Sequence, residues 1–418
     1  MYKTKKLNNN VELITSPIEG TQAACLLVLV KVGSRQEKGK LIGISHFIEH
    51  MMFKGTDRRP TTSDLTKELD GVGAEFNAFT GKDYTGYYIK SDTKNLSLSI
   101  DVLSDMLLSS KFDAGELERE KGVIVEEINM YEDNPIMHVE ELLEEIMYGP
   151  HQLGTDIIGT RESVRGMSRE DLVTFKERFY GGENIVISLA GKFTQEHLLE
   201  IEEKFNFKSD NDKTPLDIIS IDQSTPRVSL SFKEMEQTQI ALGFPAYSYT
   251  DSRLVTLNVL SVILGGNMSS RLFLSVRERS GLAYSIRSGL DVHEDIGALI
   301  VKAGLDKSRV DDAIGLIIEE LNKMKEGVTD GELSRAKECL FGRTALDLED
   351  SSHVSSWYAN QHLMTGTILT PDEKNIKIAA VTAEDIKSVA KEIIDMNKIS
   401  LAVIGPFKDK EKFANLLQ

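Results

Sequence analysis

The longest apolar run in the chain, Ala23 to Val30, has eight residues, too few to cross a membrane. Extended to Val32 it predicts a strand, as does Tyr87 to Lys90. Ala74 to Phe79 alternates in the manner of a strand and lies between helix-like segments. Helices are predicted over residues 44–54, Asn95 to Ser110 and Met137 to Tyr148. Another is predicted over Glu116 to Tyr131, where Leu117, Ile124, Ile128 and Tyr131 recur at helical spacing and form one apolar stripe. Strands and amphipathic helices mixed in this way predict an α+β (mixed α/β) fold of sheets packed against helices.

The pattern occurs twice. Ser168-Arg169-Glu170-Asp171-Leu172 opens a helix that leads to the apolar strand Ile185 to Phe193, and Thr382-Ala383-Glu384-Asp385-Ile386 opens one that leads to Ile399 to Phe407, at a constant offset of 214. Each copy starts on a Ser or Thr N-cap. Gly115 to Lys121 likewise matches Gly331 to Lys337 at an offset of 216. A polar run from Lys208 to Pro215, rich in turn residues, separates the copies. The expected organisation is a first domain over 1–207, a linker over 208–226 and a homologous second domain over 227–418.

Chemistry concentrates in the first copy. His46-Phe47-Ile48-Glu49-His50 reads H-x-x-E-H, the zinc-peptidase motif in inverted order. On a helix, His46 and His50 stack one turn apart and can grip a single zinc ion. Glu49 falls on the same side, where a carboxylate can take a proton from a metal-activated water. A hydrolytic zinc site needs a third protein ligand. At about 3.6 residues per turn, Glu120 and Glu127 lie together on the flank of the apolar stripe, whereas Glu126 points into solvent. Glu127 is therefore the expected third ligand and Glu120 its supporting partner. On the matching register of the second copy, Glu120 becomes Ala336 and Glu127 becomes Arg343, and the stretch near Val262 to Gly266 holds no histidine. An arginine cannot ligate zinc, so the second copy is expected to keep the fold without the metal.

Three stretches, HFIEHMMFKG at 46–55, FNAFT at 76–80 and EREKGVIVEE at 118–127, resemble the pitrilysin (inverzincin) family of zinc metallopeptidases. The resemblance spans nearly the whole chain. It is strongest to the short branch of bacterial peptidases and the catalytic subunit of mitochondrial processing peptidase. In that family the third ligand is a glutamate about 76 residues beyond the second histidine, with another glutamate seven positions before it. Seventy-six residues separate His50 from Glu127, and Glu120 stands seven before Glu127. The resemblance implies that Asn77 and Ala78 lie on an edge strand that pairs with extended peptide. It implies too that Arg277 and Tyr284, seven residues apart, reach an active site to grip a substrate carbonyl and stabilise the oxyanion. It implies one Zn²⁺ per chain and a chamber closed by four such domains, which admits short or unfolded peptides. A two-domain chain then needs a partner. The expectation is a homodimer, with a heterodimer containing a related inactive chain as the alternative, and Arg277 and Tyr284 acting across subunits.

Composition narrows the class further. The net charge of −17, from 66 acids against 49 bases, argues against nucleic acid as a partner. Cys25 and Cys339 are the only cysteines, which suits a reducing compartment. Met1 to Lys6 runs into strand-like sequence without a secretory or transit pattern. The chain is therefore expected in a cytoplasm, that of a bacterium, with no membrane partner. No long glycine-rich loop of the kind carried by the processing peptidase's partner subunit is present, so peptide clearance is favoured over trimming of targeting sequences. A non-catalytic assembly protein on the same fold and a zinc hydrolase acting on other bonds are the rival readings.

Overall fold

The computed structural model describes residues 2–209, 213 and 217–417. Parts of the expected linker, 210–212 and 214–216, lie outside them. Six strands build the first sheet: β1 (Lys3–Lys6), β2 (Glu12–Pro17), β3 (Ala23–Val30), β4 (Glu75–Thr80), β5 (Thr85–Asp92) and β6 (Ile185–Gly191). Their order is β1-β2-β6-β3-β5-β4, with β2 and β6 parallel and the other neighbours antiparallel. Five strands build the second: β7 (Arg227–Phe232), β8 (Gln237–Ala246), β9 (Ala283–Val292), β10 (Gly297–Asp306) and β11 (Ser400–Gly405). Their order is β7-β11-β8-β10-β9, again with one parallel pair, β7 and β11. The mixed α/β class and the internal duplication are both present in these two sheets.

Two compact units contain the sheets. One comprises residues 1–129, 156–216 and 345–368, and the other residues 130–155, 217–344 and 369–418. These units differ from a division at 207 and 227 by an exchange of helices. In the first, Val354, Tyr358, Ala359 and Leu363 of the helix Ser351–Thr365 pack on Ile14, Leu27, Leu29, Val186 and Ala190 of the sheet. In the second, Val139, Leu143 and Met147 of the helix Pro135–Tyr148 pack on Ala241, Ala298, Ala402 and Ile404. Each large apolar side chain so buried contributes roughly 1.5–3 kcal/mol. The approach of that helix to β8 depends on Gly243, where a Cβ would lie 2.4 Å from Met147 Sδ.

Helices also carry the candidate site. The helix Leu96–Ser109 buries Ile100, Leu103 and Leu107, and the helices Ile44–Met52 and Ala114–Asp133 both belong, up to Asn129, to the first unit. The predicted strands and helices over these regions are all present, with ends shifted by a few residues. No helix among the described residues is long and apolar enough to cross a membrane.

Candidate metal centre

The helix Ile44–Met52 exists because Ile44, Phe47, Ile48, Met51 and Met52 form a buried face, which anchors the polar residues between them. His46 is buried, and its ring centroid lies 4.5 Å from that of His50, with the planes at 62°. The second helix, Ala114–Asp133, buries Leu117, Ile124, Val125 and Ile128 together with Glu120. Gly122 does not interrupt it; the residue is exposed, with open space around its Cα. Glu126 is exposed and Glu127 half-buried.

The two helices bring together His46, His50 and Glu127, whose ligand atoms lie within 4.8 Å of one another. Glu127 Oε2 is 3.7 Å from His46 Nε2 and 3.4 Å from His50 Nε2. Nitrogen and oxygen ligands bound at about 2.0–2.2 Å in a tetrahedron stand roughly 3.3–3.6 Å apart, so the three groups fit a zinc-sized cation. His50 Nδ1 meets Glu120 Oε1 at 2.9 Å, which leaves Nε2 as the donor atom toward a metal. Lys54 Nζ, 2.6 Å from Glu120 Oε2, holds the carboxylate from its other side. His46 Nδ1 is buried and has no hydrogen-bond partner among the described residues.

Electrostatics suits the same use. Burial, then the neighbouring His50, pulls the His46 pKa down to about 4 against the pull of Glu127, so its lone pair is available at neutral pH. Burial also disfavours charge on His50, but Glu120 and Glu127 outweigh it and push the pKa up to about 9. The two carboxylates thus concentrate negative charge beside the imidazoles, a setting that attracts a cation. Burial opposes ionisation of Glu120, yet His50 and Lys54 keep its pKa below the usual carboxylate value. Glu49 is different: burial raises its pKa, with the Thr80 hydroxyl pulling the other way. Thr80 Oγ1 donates to Glu49 Oε2, so the last residue of β4 touches the candidate base.

β4 is the edge of its sheet, as expected for the strand carrying Asn77 and Ala78. Ala78 stands opposite Tyr87, and the Gly81 N–H bond to the Tyr84 carbonyl at 2.8 Å sets the alternation, so the Ala78 N–H faces the free edge. Asn77 Oδ1 accepts from that N–H at 2.9 Å. Arg277 and Tyr284 lie in the second unit. Arg277 sits on a π-helical turn, Phe273–Arg279, ahead of β9, and its guanidinium is 5.9 Å from the Tyr284 ring. Tyr284 is 72% exposed. Two cavities of about 650 and 720 Å³ also belong to the second unit, with no histidine lining either.

Sequence reasoning missed Lys54 and Thr80. Lys54 is four residues beyond His50 and so near its helical face, a signal that was available. Thr80 gave none, because its contact with Glu49 crosses between a strand and a helix.

The model of the insulinase family, peptidase family M16, matches residues 13–161, and that of the peptidase M16 inactive domain matches residues 166–340. An uncharacterized zinc protease of Streptomyces coelicolor is 35% identical over 97% of this chain and 90% of its own length. The chain belongs to the M16 family of metallopeptidases. The uncharacterized zinc protease YmxG of Bacillus subtilis is a further M16 relative, 34% identical over 97% of this chain and 98% of the relative. Solved structures share the two-domain M16 fold. A protease from Helicobacter pylori has a TM-score of 0.89 at 23% identity, covering 97% of this chain and 99% of that one. A chain from complex III2 of Candida albicans has a TM-score of 0.85 at 18% identity, covering 99% of each. The inactive-domain match spans the region in which Ala336 replaces a glutamate.

Proposed function

We propose that this M16 chain is a zinc endopeptidase acting on short or unfolded peptides, with one zinc per chain held by His46, His50 and Glu127. One observation carries the reading: two imidazole nitrogens and a carboxylate oxygen converge within 4.8 Å, while Glu49, on the same helix, stays outside that set and bonds to Thr80 instead. Relatives named zinc proteases agree with that choice of metal. Zinc supplies a Lewis acid that lowers the pKa of water and polarises a carbonyl. Glu49 takes the proton from the attacking water and returns it to the leaving amine, a shuttle suited to a carboxylate whose pKa is raised by burial. Thr80 orients Glu49. Glu120 and Lys54 fix the His50 ring.

The free edge of β4 receives the peptide backbone at Asn77 and Ala78, and the Asn77 side chain yields the Ala78 N–H as the strand pairs. Such pairing ignores side chains and accepts many sequences. Arg277 and Tyr284 contribute from a second copy of the chain, giving a homodimer with two chambers; a related inactive chain is the alternative partner. The free cysteines Cys25 and Cys339 agree with a cytoplasmic setting. The likeness to a complex III2 chain supports a second reading, an assembly role without catalysis, but the intact cluster favours the peptidase.

The deciding experiment incubates purified protein with a defined peptide library and measures bound metal. The expected result is cleavage lost on chelation, restored by zinc, at one zinc per chain. Zinc-loaded protein that cleaves no peptide in the library would overturn the reading.

A further inference from the structure

Among the described residues Glu37 is the most completely buried acid, at 1% exposure, and nothing in the chemistry above uses it. Its two oxygens accept from the N–H groups of Gly43, at 2.6 Å, and Ser45, at 2.7 Å. These are donors that the first turn of the helix Ile44–Met52 leaves without intrahelical partners. Gly43 is the N-cap residue, held at φ +94°, and has no side chain with which to cap. Glu37 therefore supplies the cap from outside the helix, with a carboxylate where the helix dipole favours negative charge. Burial raises its pKa, and those N–H groups, with Lys82, pull it back toward the ionised form.

The segment bearing Glu37 is itself clamped. Ser34 N–H bonds to the Gly81 carbonyl at 3.1 Å and Arg35 N–H to the Lys82 carbonyl at 3.0 Å. The Arg35 guanidinium and Asp83 form a buried ion pair at 3.0 Å. A Cβ at Gly33 would lie 2.3 Å from the Gly81 oxygen, so the two backbones touch. Gly81 to Asp83 is the turn leaving β4, and β4 ends in Thr80, the partner of Glu49. A closed ring of contacts results: from Glu37 to the first turn of the helix, along it to Glu49, across to Thr80, round the turn and back through Arg35.

We propose that Glu37 is a positioning residue. It holds the first turn of the helix, and with it His46, in register with the metal cluster and with the peptide-binding edge. This rests on the reading of His46 as a zinc ligand. The alternative is a carboxylate that merely stabilises the fold.

Glu37→Gln separates the two. An amide presents one acceptor and one donor to two N–H groups, so one of them loses its partner. Zinc affinity, measured by competition with a chelator, is expected to fall about 10–100-fold, as for other groups that orient metal ligands. At saturating zinc, kcat should fall by about tenfold or more while KM changes little. Thr61→Ala, which removes the N-cap of the helix Thr62–Asp70, provides a comparable loss of Tm and should leave zinc affinity unchanged. Wild-type zinc affinity and kcat in Glu37→Gln, with only Tm lowered, would overturn the proposal. Arg35→Lys keeps the charge opposite Asp83, loses the guanidinium geometry and is a milder second variant; it should weaken zinc in the same direction, and an unchanged affinity there counts equally against the ring. His46→Ala binding zinc as wild type would bring down the site assignment itself, and this inference with it, whereas a weakened His46→Ala beside an unaffected Glu37→Gln sinks the inference alone.

Discussion

The two sheets run β2-β6-β3-β5-β4 and β7-β11-β8-β10-β9, so strand for strand the units are the same construction, with β1 added to the first. Each places a helix between its second and third matching strands, Ile44–Met52 between β3 and β4 and Leu254–Gly265 between β8 and β9. Each has a long helix following the fold's central hairpin, Ala114–Asp133 or Asp330–Asp347. What joins these helices differs. In the first unit they meet through His50 and Glu120 at 2.9 Å and through Glu127. In the second, Arg343 donates to the Gly266 carbonyl at 2.6 Å, and Ala336 is 2% exposed where the first unit buries Glu120. The second unit closes the same junction with an apolar residue and one guanidinium-to-carbonyl hydrogen bond. The first gathers two imidazoles, three carboxylates and an ammonium in a half-buried site, at a desolvation cost the fold does not demand. The difference sets the cluster apart from the scaffold, which the second unit builds without it.

The sharpest break in that contrast is Glu49→Gln. It should lower peptide cleavage by roughly 10²–10⁴-fold while zinc content, measured by elemental analysis, stays at the wild-type level. Substantial residual kcat would remove Glu49 as the base. A smaller effect is expected of Glu120→Gln, which weakens the hold on His50 Nδ1 and releases Lys54. Zinc affinity should drop about 10–100-fold, and an unchanged affinity would mean that the buried acid is there for packing alone. The smallest change is expected from Ala336→Glu combined with Arg343→Glu. These substitutions restore both glutamates to the second unit, but no histidine stands on the facing helix, so the stoichiometry should stay at one zinc per chain. A second equivalent of tightly bound zinc would show that the second unit lacks less than its sequence suggests.

The local part of this structure could be read from the chain. H-x-x-E-H on a helix, and Glu120 and Glu127 on one flank of another, follow from periodicity, and the observed distances bring them together. The stripe itself was slightly misjudged: Val125 is buried and Tyr131 only half-buried, because the covered face is wider than a single line of residues and runs out toward the helix end. Strand order could not be read, since pairing joins segments as far apart as β2 and β6. The exchange of helices was hidden for a related reason. Apolar spacing on Met137 to Tyr148 says that one face is covered, and does not say which sheet covers it. Glu37 was hidden by its neighbours: Ser34-Arg35-Gln36-Glu37-Lys38 looks like a solvated loop, and nothing in that run tells that it folds against the first turn of the helix Ile44–Met52 and the β4–β5 turn.

The exchanged helix Ser351–Thr365 bears on how the molecule comes into being. A nascent chain leaves the ribosome from its N-terminus. All six strands of the first sheet will have emerged long before residue 351 is added, and Ile14, Leu27 and Val186 will wait uncovered until the last quarter of the protein is made. The first unit therefore reaches its final packing only near the end of synthesis, and a premature stop shortly before that helix leaves an adhesive apolar face on its sheet.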